Sequence, residues 1–214
     1  MGDLAGGGRD SADSLLLMPQ FPTFVEALPL TKGALEFAAE RHDGQRRAAD
    51  DAAFILHPLE VAQLLRSYGY PDEMVAAGVL HDSLENTDAT PLELEQLFGS
   101  RVAALVCEVS EPSPTGTWAE RKANLRDSIA HAGADAAVVY AADKVAKVRE
   151  LRLRLARDGS AAASLDTAER LDHYWASLAM LERRLPDDPL VMKLRFELEA
   201  LATLPPGVPA EAPR

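Results

Sequence analysis

One cysteine, Cys107, stands in 214 residues, so the chain has no internal disulfide framework. Its apolar neighbours, Leu105 and Val106, give the expectation of a buried, inert thiol in a reducing, cytoplasmic compartment. Apolar runs of membrane-spanning length are missing, and Ser14-Leu15-Leu16-Leu17-Met18 is too short for a signal-peptide core. Gly2 is not followed by the hydroxyl residue that myristoylation needs, because Gly6 stands there. A membrane partner is therefore not expected. Basic excess is missing too: the net charge of −12 argues against a general nucleic-acid binder, which presents a basic face. Strand-like alternation and internal repeats are not found.

What is present is helical punctuation at short intervals. Residues 30–42, 57–68, 71–84, 118–130, 135–157, 165–184 and 189–204 read as helices. Thr90-Pro91-Leu92-Glu93 has the form of a capping box with proline at the first helical position. Gly99 ends that short helix, and Ser100 is the expected cap of the next, through Val109. Residues 111–116 read as a loop. The fold class is all-α. The expected organisation is one helical domain over 21–204, with flexible tails at 1–20 and, Pro-rich, at 205–214. At 47% hydrophobic content the chain has enough apolar material for one substantial core.

The chemistry-bearing residues are His57, the pair His81-Asp82, and Asp143. Glu85 follows His81 by four residues and Asn86 follows Asp82 by four, so on a helix these four would share a face. Asp143 ends a run of residues, 136–142, that is apolar on every side. A carboxylate placed there is costly unless it is paired or bound to a metal. A salt bridge to Lys144 or Arg149 is one answer; a metal shared with the two histidines is the other. Two imidazoles and two carboxylates suit one divalent ion of the Mn, Fe, Co or Zn kind rather than a thiolate-bound structural metal. Such an ion polarises a phosphoryl oxygen and lowers the pKa of water, with Glu85 placed to orient or deprotonate that water.

The segments His57-Pro58-Leu59-Glu60-Val61-Ala62, then 76–90 around Gly78-Val79-Leu80-His81-Asp82-Ser83-Leu84-Glu85-Asn86, then Phe98-Gly99 and Ala142-Asp143-Lys144 follow one pattern. In order and spacing it resembles the hydrolase domain of the HD superfamily found in RelA/SpoT-type enzymes and stand-alone small alarmone hydrolases. The resemblance runs from about residue 35 to about residue 180. It implies a helical bundle with a metal site in its core cleft, His57, His81, Asp82 and Asp143 as ligands, Mn2+ as the ion, and removal of the 3′-pyrophosphate from guanosine tetra- or pentaphosphate.

Substrate contacts are expected from Arg46 and Arg47 before His57, with Arg41 a further candidate in the same stretch. Lys144, Lys147, Arg149, Arg170 and Tyr174 are expected from the later helices. Three departures from the pattern are visible. Asn86 stands where a second carboxylate is usual, and asparagine neither accepts a proton nor carries charge. Lys147 replaces an asparagine. Residues 46–54 lack the usual lysine, glycine, proline and tyrosine. Two alternatives therefore stand beside the alarmone reading: a phosphohydrolase of another nucleotide or phosphoester, and a non-catalytic nucleotide-binding regulator. A small-molecule nucleotide is the expected partner in each.

Overall fold

The computed structural model describes residues 21–158 and 165–203. The expected tails lie outside them. Ten α-helices make up the described chain: α1 Pro29–Arg41, α2 Leu56–Ser67, α3 Asp72–Leu80, α4 Ser83–Asn86, α5 Pro91–Phe98, α6 Ser100–Val109, α7 Trp118–His131, α8 Ala134–Asp158, α9 Leu165–Arg184 and α10 Pro189–Thr203. A 3-10 turn at Thr23–Ala27 precedes them. No strand occurs among the described residues, and none of the helices is long and apolar enough to cross a membrane.

The bundle is organised around α3 and α8. Every residue from Met74 to Leu80 is buried, and so is every residue from Ala136 to Ala146, including Asp143 and Lys144. Helix α8 packs on α2, α3, α6, α9 and α10, which makes it the shared wall of the core. Small residues set how closely the helices approach. A Cβ on Gly78 would lie 2.4 Å from Leu65 Cδ1 and 3.1 Å from Val61 Cγ1, so glycine is what lets α3 lie against α2.

Helix ends are satisfied partly across the fold. The Asp72 carboxylate accepts from the backbone N–H of Leu30 and of Thr31, each at 3.0 Å, and from Thr31 Oγ1 at 2.6 Å. A side chain from the start of α3 thus caps the start of α1, whose own preceding residue, Leu28, offers no acceptor.

Four local expectations change. Residues 71–84 are not one helix: α3 stops at Leu80, His81 and Asp82 form a turn, and α4 restarts at Ser83. Asp82 has φ −92° and ψ −5°, a bridge-region conformation, and His81 Nδ1 sits 2.7 Å from the Gly78 carbonyl. Ser100 is the first helical residue of α6 rather than its cap, a place taken by Gly99 at φ 87°. At α5 Thr90 accepts from the Glu93 N–H. The box with both reciprocal bonds is instead at α7, between Thr117 and Glu120. Finally, Cys107 is exposed, because it falls on the solvent side of α6 between the buried Val106 and Val109.

Candidate metal centre and its cavity

Four side chains from three places in the chain meet at the base of a cleft. His57 comes from the first turn of α2, His81 and Asp82 from the turn after α3, and Asp143 from the middle of α8. His57 Nε2 lies 3.2 Å from His81 Nε2 and 3.2 Å from Asp143 Oδ1. His81 Nε2 lies 3.4 Å from Asp143 Oδ1 and 3.3 Å from Asp82 Oδ2, which is 3.6 Å from His57 Nε2. Donors bound about 2.1 Å from one ion stand about 3.0–3.4 Å apart in four- to six-coordinate geometry. His57, His81 and Asp143 fit that spacing and form one compact cluster, while Asp82 Oδ2, 3.6 Å from His57 Nε2, stands outside it. Asp82 Oδ2 and Asp143 Oδ1 are also shut off from water and have no hydrogen-bond partner. Buried carboxylate oxygens without partners, facing two imidazole nitrogens, form a donor set for a divalent metal.

The rings are held from behind. Glu150 Oε1 lies 2.9 Å from His57 Nδ1, and the Gly78 carbonyl holds His81 Nδ1. The Gly78 contact is a hydrogen bond that turns His81 Nε2 toward the carboxylates, as outer partners of metal-binding histidines do, whereas the Glu150–His57 approach has ion-pair distance without hydrogen-bond alignment. Glu150 went unnoticed in the sequence, although it stands seven residues after Asp143 on the same face of α8 as Lys147, a spacing that would have found it.

Electrostatics follow from this crowding. Burial disfavours a charged His81, but Asp82 and Asp143 outweigh it and raise the imidazole to about 10. Burial would raise both carboxyls. His81 and Lys147 around Asp82, and Lys144 and His81 around Asp143, hold them well below the ordinary range. Lys144 Nζ lies 2.5 Å from Asp143 Oδ2 and 4.4 Å above the Tyr140 ring. The anticipated salt bridge to Lys144 is therefore present on one Asp143 oxygen, while the other faces the two histidines.

Above the donors opens a cavity of about 680 Å³. Asp82, Glu85 and Asn86 line it, and so do Lys144, Lys147, Arg170 and Tyr174. The break after α3 means that His81 is not on one helical face with Glu85; it sits behind, among the donors, while Asp82, Glu85 and Asn86 face the cavity. Glu85 accepts from the Glu111 N–H at 2.8 Å, and burial raises its pKa against the opposing pull of Lys122. The wall contributed by the 111–118 loop and α7, with Glu111, Trp118, Arg121 and Lys122, was not anticipated. Glu111 joins it together, 2.8 Å from Arg121 Nε and 2.6 Å from Lys122 Nζ. Despite the net charge of −12, five cations face this space: Arg121, Lys122, Lys144, Lys147 and Arg170.

Other expected contacts fall elsewhere. Arg46 and Arg47 line a smaller adjoining cavity of about 260 Å³, which shares Phe54, Lys147, Arg170 and Tyr174 with the first. Arg47 is engaged by Asp50. Arg41 is tied to Asp88 and Glu93, 2.5 Å from each, and lines neither cavity. Arg149 also lines neither. It binds Glu197 at 2.9 Å and Glu60 at 3.2 Å, joining α8 to α10 and α2, because its position turns it away from the face shared by Asp143, Lys147 and Glu150.

Comparison with known proteins agrees with this geometry. A family model described as HD domain matches residues 34–182. A guanosine-3′,5′-bis(diphosphate) 3′-pyrophosphohydrolase of Danio rerio is 34% identical over 148 residues, 67% of this chain and 78% of that protein. One of the same name from Aquifex aeolicus (strain VF5) is 36% identical over 123 residues, 58% of this chain but only 17% of that longer protein. Among solved structures, a metazoan orthologue of SpoT superposes with a TM-score of 0.68 at 23% identity, covering 87% of this chain and 100% of that one, and so shares the all-helical fold. With the family model spanning well over half its length and the histidine-aspartate pair seated in the core cleft, the chain belongs to the HD-domain family.

Proposed function

We propose that this chain is a metal-dependent phosphohydrolase that removes the 3′-pyrophosphate from guanosine tetra- or pentaphosphate. The observation that carries the reading is the unpartnered buried Asp143 Oδ1 clustered with the two imidazole Nε2 atoms, with Asp82 Oδ2 3.3 Å from His81, beneath a cation-lined cavity. The named activity of the Danio rerio relative, matched over 78% of its length, supports the choice of substrate.

His57, His81, Asp82 and Asp143 would hold one divalent ion, with Mn2+ the favoured identity. When bound, the ion supplies Lewis-acid polarisation of a phosphoryl oxygen and lowers the pKa of water in the site. Glu85 is the base. It is held by the Glu111 N–H, stands beside Asp82 and Asn86, and would take the proton of the attacking water. Asn86 has no proton affinity to share that work. Water oxygen joins the nearer phosphorus of the 3′-pyrophosphate, the bond from that phosphorus to the ribose 3′ oxygen breaks, and that oxygen leaves as a hydroxyl on taking a proton from solvent. Pyrophosphate and guanosine di- or triphosphate leave. Lys144 and Lys147, both raised above the ordinary lysine range by the surrounding carboxylates despite burial, stay charged and offset the negative charge of the phosphates. Arg170 and Tyr174, shared by both cavities, would line the path of the nucleoside, with Arg46 and Arg47 at its far end.

A second reading, hydrolysis of another nucleotide by the same centre, is favoured by one observation: the Arg47 guanidinium is already engaged by Asp50 and lies 3.9 Å from Glu150. Product analysis separates the two. Pyrophosphate released from guanosine tetraphosphate supports the first reading. Intact guanosine tetraphosphate, with phosphate released from another nucleotide in a panel, supports the second.

A further inference from the structure

The loop after α6, residues 110–117, carries one carboxylate, and that residue meets three groups of the main cavity. The Glu111 backbone N–H donates to Glu85 Oε1 at 2.8 Å. Its side chain divides between two cations near the start of α7: Oε2 accepts from Arg121 Nε at 2.8 Å, and Oε1 lies 2.6 Å from Lys122 Nζ. Successive residues of a helix point about 100° apart, so one carboxylate reaches both by giving each its own oxygen. The far end of the loop is fixed by the same arginine, whose Nη1 donates to the Gly116 carbonyl at 3.0 Å, and by the capping box of Thr117 and Glu120. None of these groups is sealed in: Glu85 is exposed, Glu111, Arg121 and Lys122 are half-buried, and all four line the cavity. A half-exposed ion pair adds little stability, so stability alone does not account for a carboxylate set among the cavity's cations.

We propose that Glu111 is a positioning residue that sets the base, Glu85, against Arg121 and Lys122, the two cations that receive the pyrophosphate group. Its N–H fixes one oxygen of the base, and its carboxylate fixes both cations. A phosphoryl group held on the cations and a water held by Glu85 are thereby brought to one spacing. A guanidinium has five N–H bonds and an ammonium three, so sharing with Glu111 does not use up either cation. The same carboxylate offsets part of their charge, so they hold an anion less tightly than they would without it. Affinity is lowered and alignment gained. The inference rests on reading this cavity as a phosphohydrolase site with Glu85 as its base.

The test uses metal-loaded protein and three substitutions. Glu111→Ala removes the carboxylate and keeps the N–H, whereas Glu111→Asp keeps both. Glu111→Pro removes both, and Ser110, at φ −85° and ψ 151°, already has the extended backbone required before proline. Glu111→Ala is expected to bind inorganic pyrophosphate about 3- to 10-fold more tightly by calorimetry, yet to hydrolyse guanosine tetraphosphate with kcat about 10- to 100-fold lower. Glu111→Asp should return both toward wild type. In protein labelled with 13C-glutamate, with Glu85→Gln as the assignment control, the Glu85 carboxyl should titrate at higher pH in Glu111→Pro than in Glu111→Ala, because the N–H favours the ionised form. A Glu111→Ala protein that is folded by circular dichroism and keeps wild-type kcat would overturn the proposal, and so would one that binds pyrophosphate more weakly than wild type. Equal Glu85 titration in Glu111→Ala and Glu111→Pro would overturn it too. A wild type that leaves guanosine tetraphosphate intact defeats the alarmone reading alone, because the pyrophosphate and carboxyl titrations need no turnover.

Discussion

His57 and His81 face each other through their Nε2 atoms at 3.2 Å; behind them Glu150 Oε1 lies 2.9 Å from His57 Nδ1, and the Gly78 carbonyl is hydrogen-bonded to His81 Nδ1. The two contacts differ in kind. A backbone carbonyl is fixed by the helix, whereas the carboxylate can be changed without touching the donor set. Glu150→Gln should weaken Mn2+ binding by about 10- to 100-fold, read by calorimetric titration, with the fold unchanged. Wild-type affinity in this variant would mean that His57 is oriented by packing alone.

Gly78 sits at the other contact. An added methyl would meet Leu65 Cδ1 at 2.4 Å, and the neighbours are core side chains of α2, the helix that carries His57. Gly78→Ala should lower stability by about 1–3 kcal/mol through overpacking, less any helix-propensity gain, and should weaken metal binding as α2 and α3 are pushed apart. Thermal denaturation with and without Mn2+ measures both. An unchanged melting temperature would show that Leu65 repacks freely.

The rate should depend on pH through Glu85. Burial raises its carboxyl above the ordinary glutamate value while Lys122 pulls it down. The base works only when ionised, so activity is expected to rise as pH increases through this raised pKa and to be lost below it. Lys122→Ala removes the downward pull and should move the acid limb of kcat/KM to higher pH. Glu85→Gln should remove that limb and cut kcat by about 10²- to 10⁴-fold. An acid limb that persists in Glu85→Gln assigns the base elsewhere.

Metal binding should release a proton. His81 is raised to about 10 by Asp82 and Asp143 against its burial, so at neutral pH it is charged before an ion arrives, and an ion competes with that proton. Affinity for Mn2+ is therefore expected to increase as pH rises from 6 to 8. Titrations in buffers of different ionisation enthalpy count the protons. Binding with no proton released would contradict the assignment of His81 as a ligand.

The cluster of His57, His81 and Asp143, with Asp82 beside it, was legible in the sequence because each stands in a short segment of recognisable order: a His-Pro helix start, a histidine-aspartate pair, and an aspartate ending an apolar run. The all-helical class followed from the same periodicity. What the chain did not disclose depends on tertiary packing. Asp72 capping α1 joins residues about forty apart, and no local pattern announces it. The break at His81-Asp82 interrupts a stretch that reads as one helix, and the Asp82 backbone there sits at φ −92° and ψ −5°. Arg149 read as a substrate contact beside Lys144 and Lys147, yet helical rotation sends it to Glu197 rather than to the cavity. Glu85 and Glu111 stand 26 residues apart, and only tertiary packing joins them. The capping box at Thr117-Trp118-Ala119-Glu120 is a different case, since its signature stood in the sequence.

The central claim is tested most directly by pyrophosphate release from guanosine tetraphosphate in the presence of Mn2+, comparing wild type with Asp82→Ala. The account predicts release that needs the ion, stops on chelation and is abolished by the substitution. Wild type that binds Mn2+ yet releases no pyrophosphate, or Asp82→Ala that releases it as fast as wild type, would contradict it.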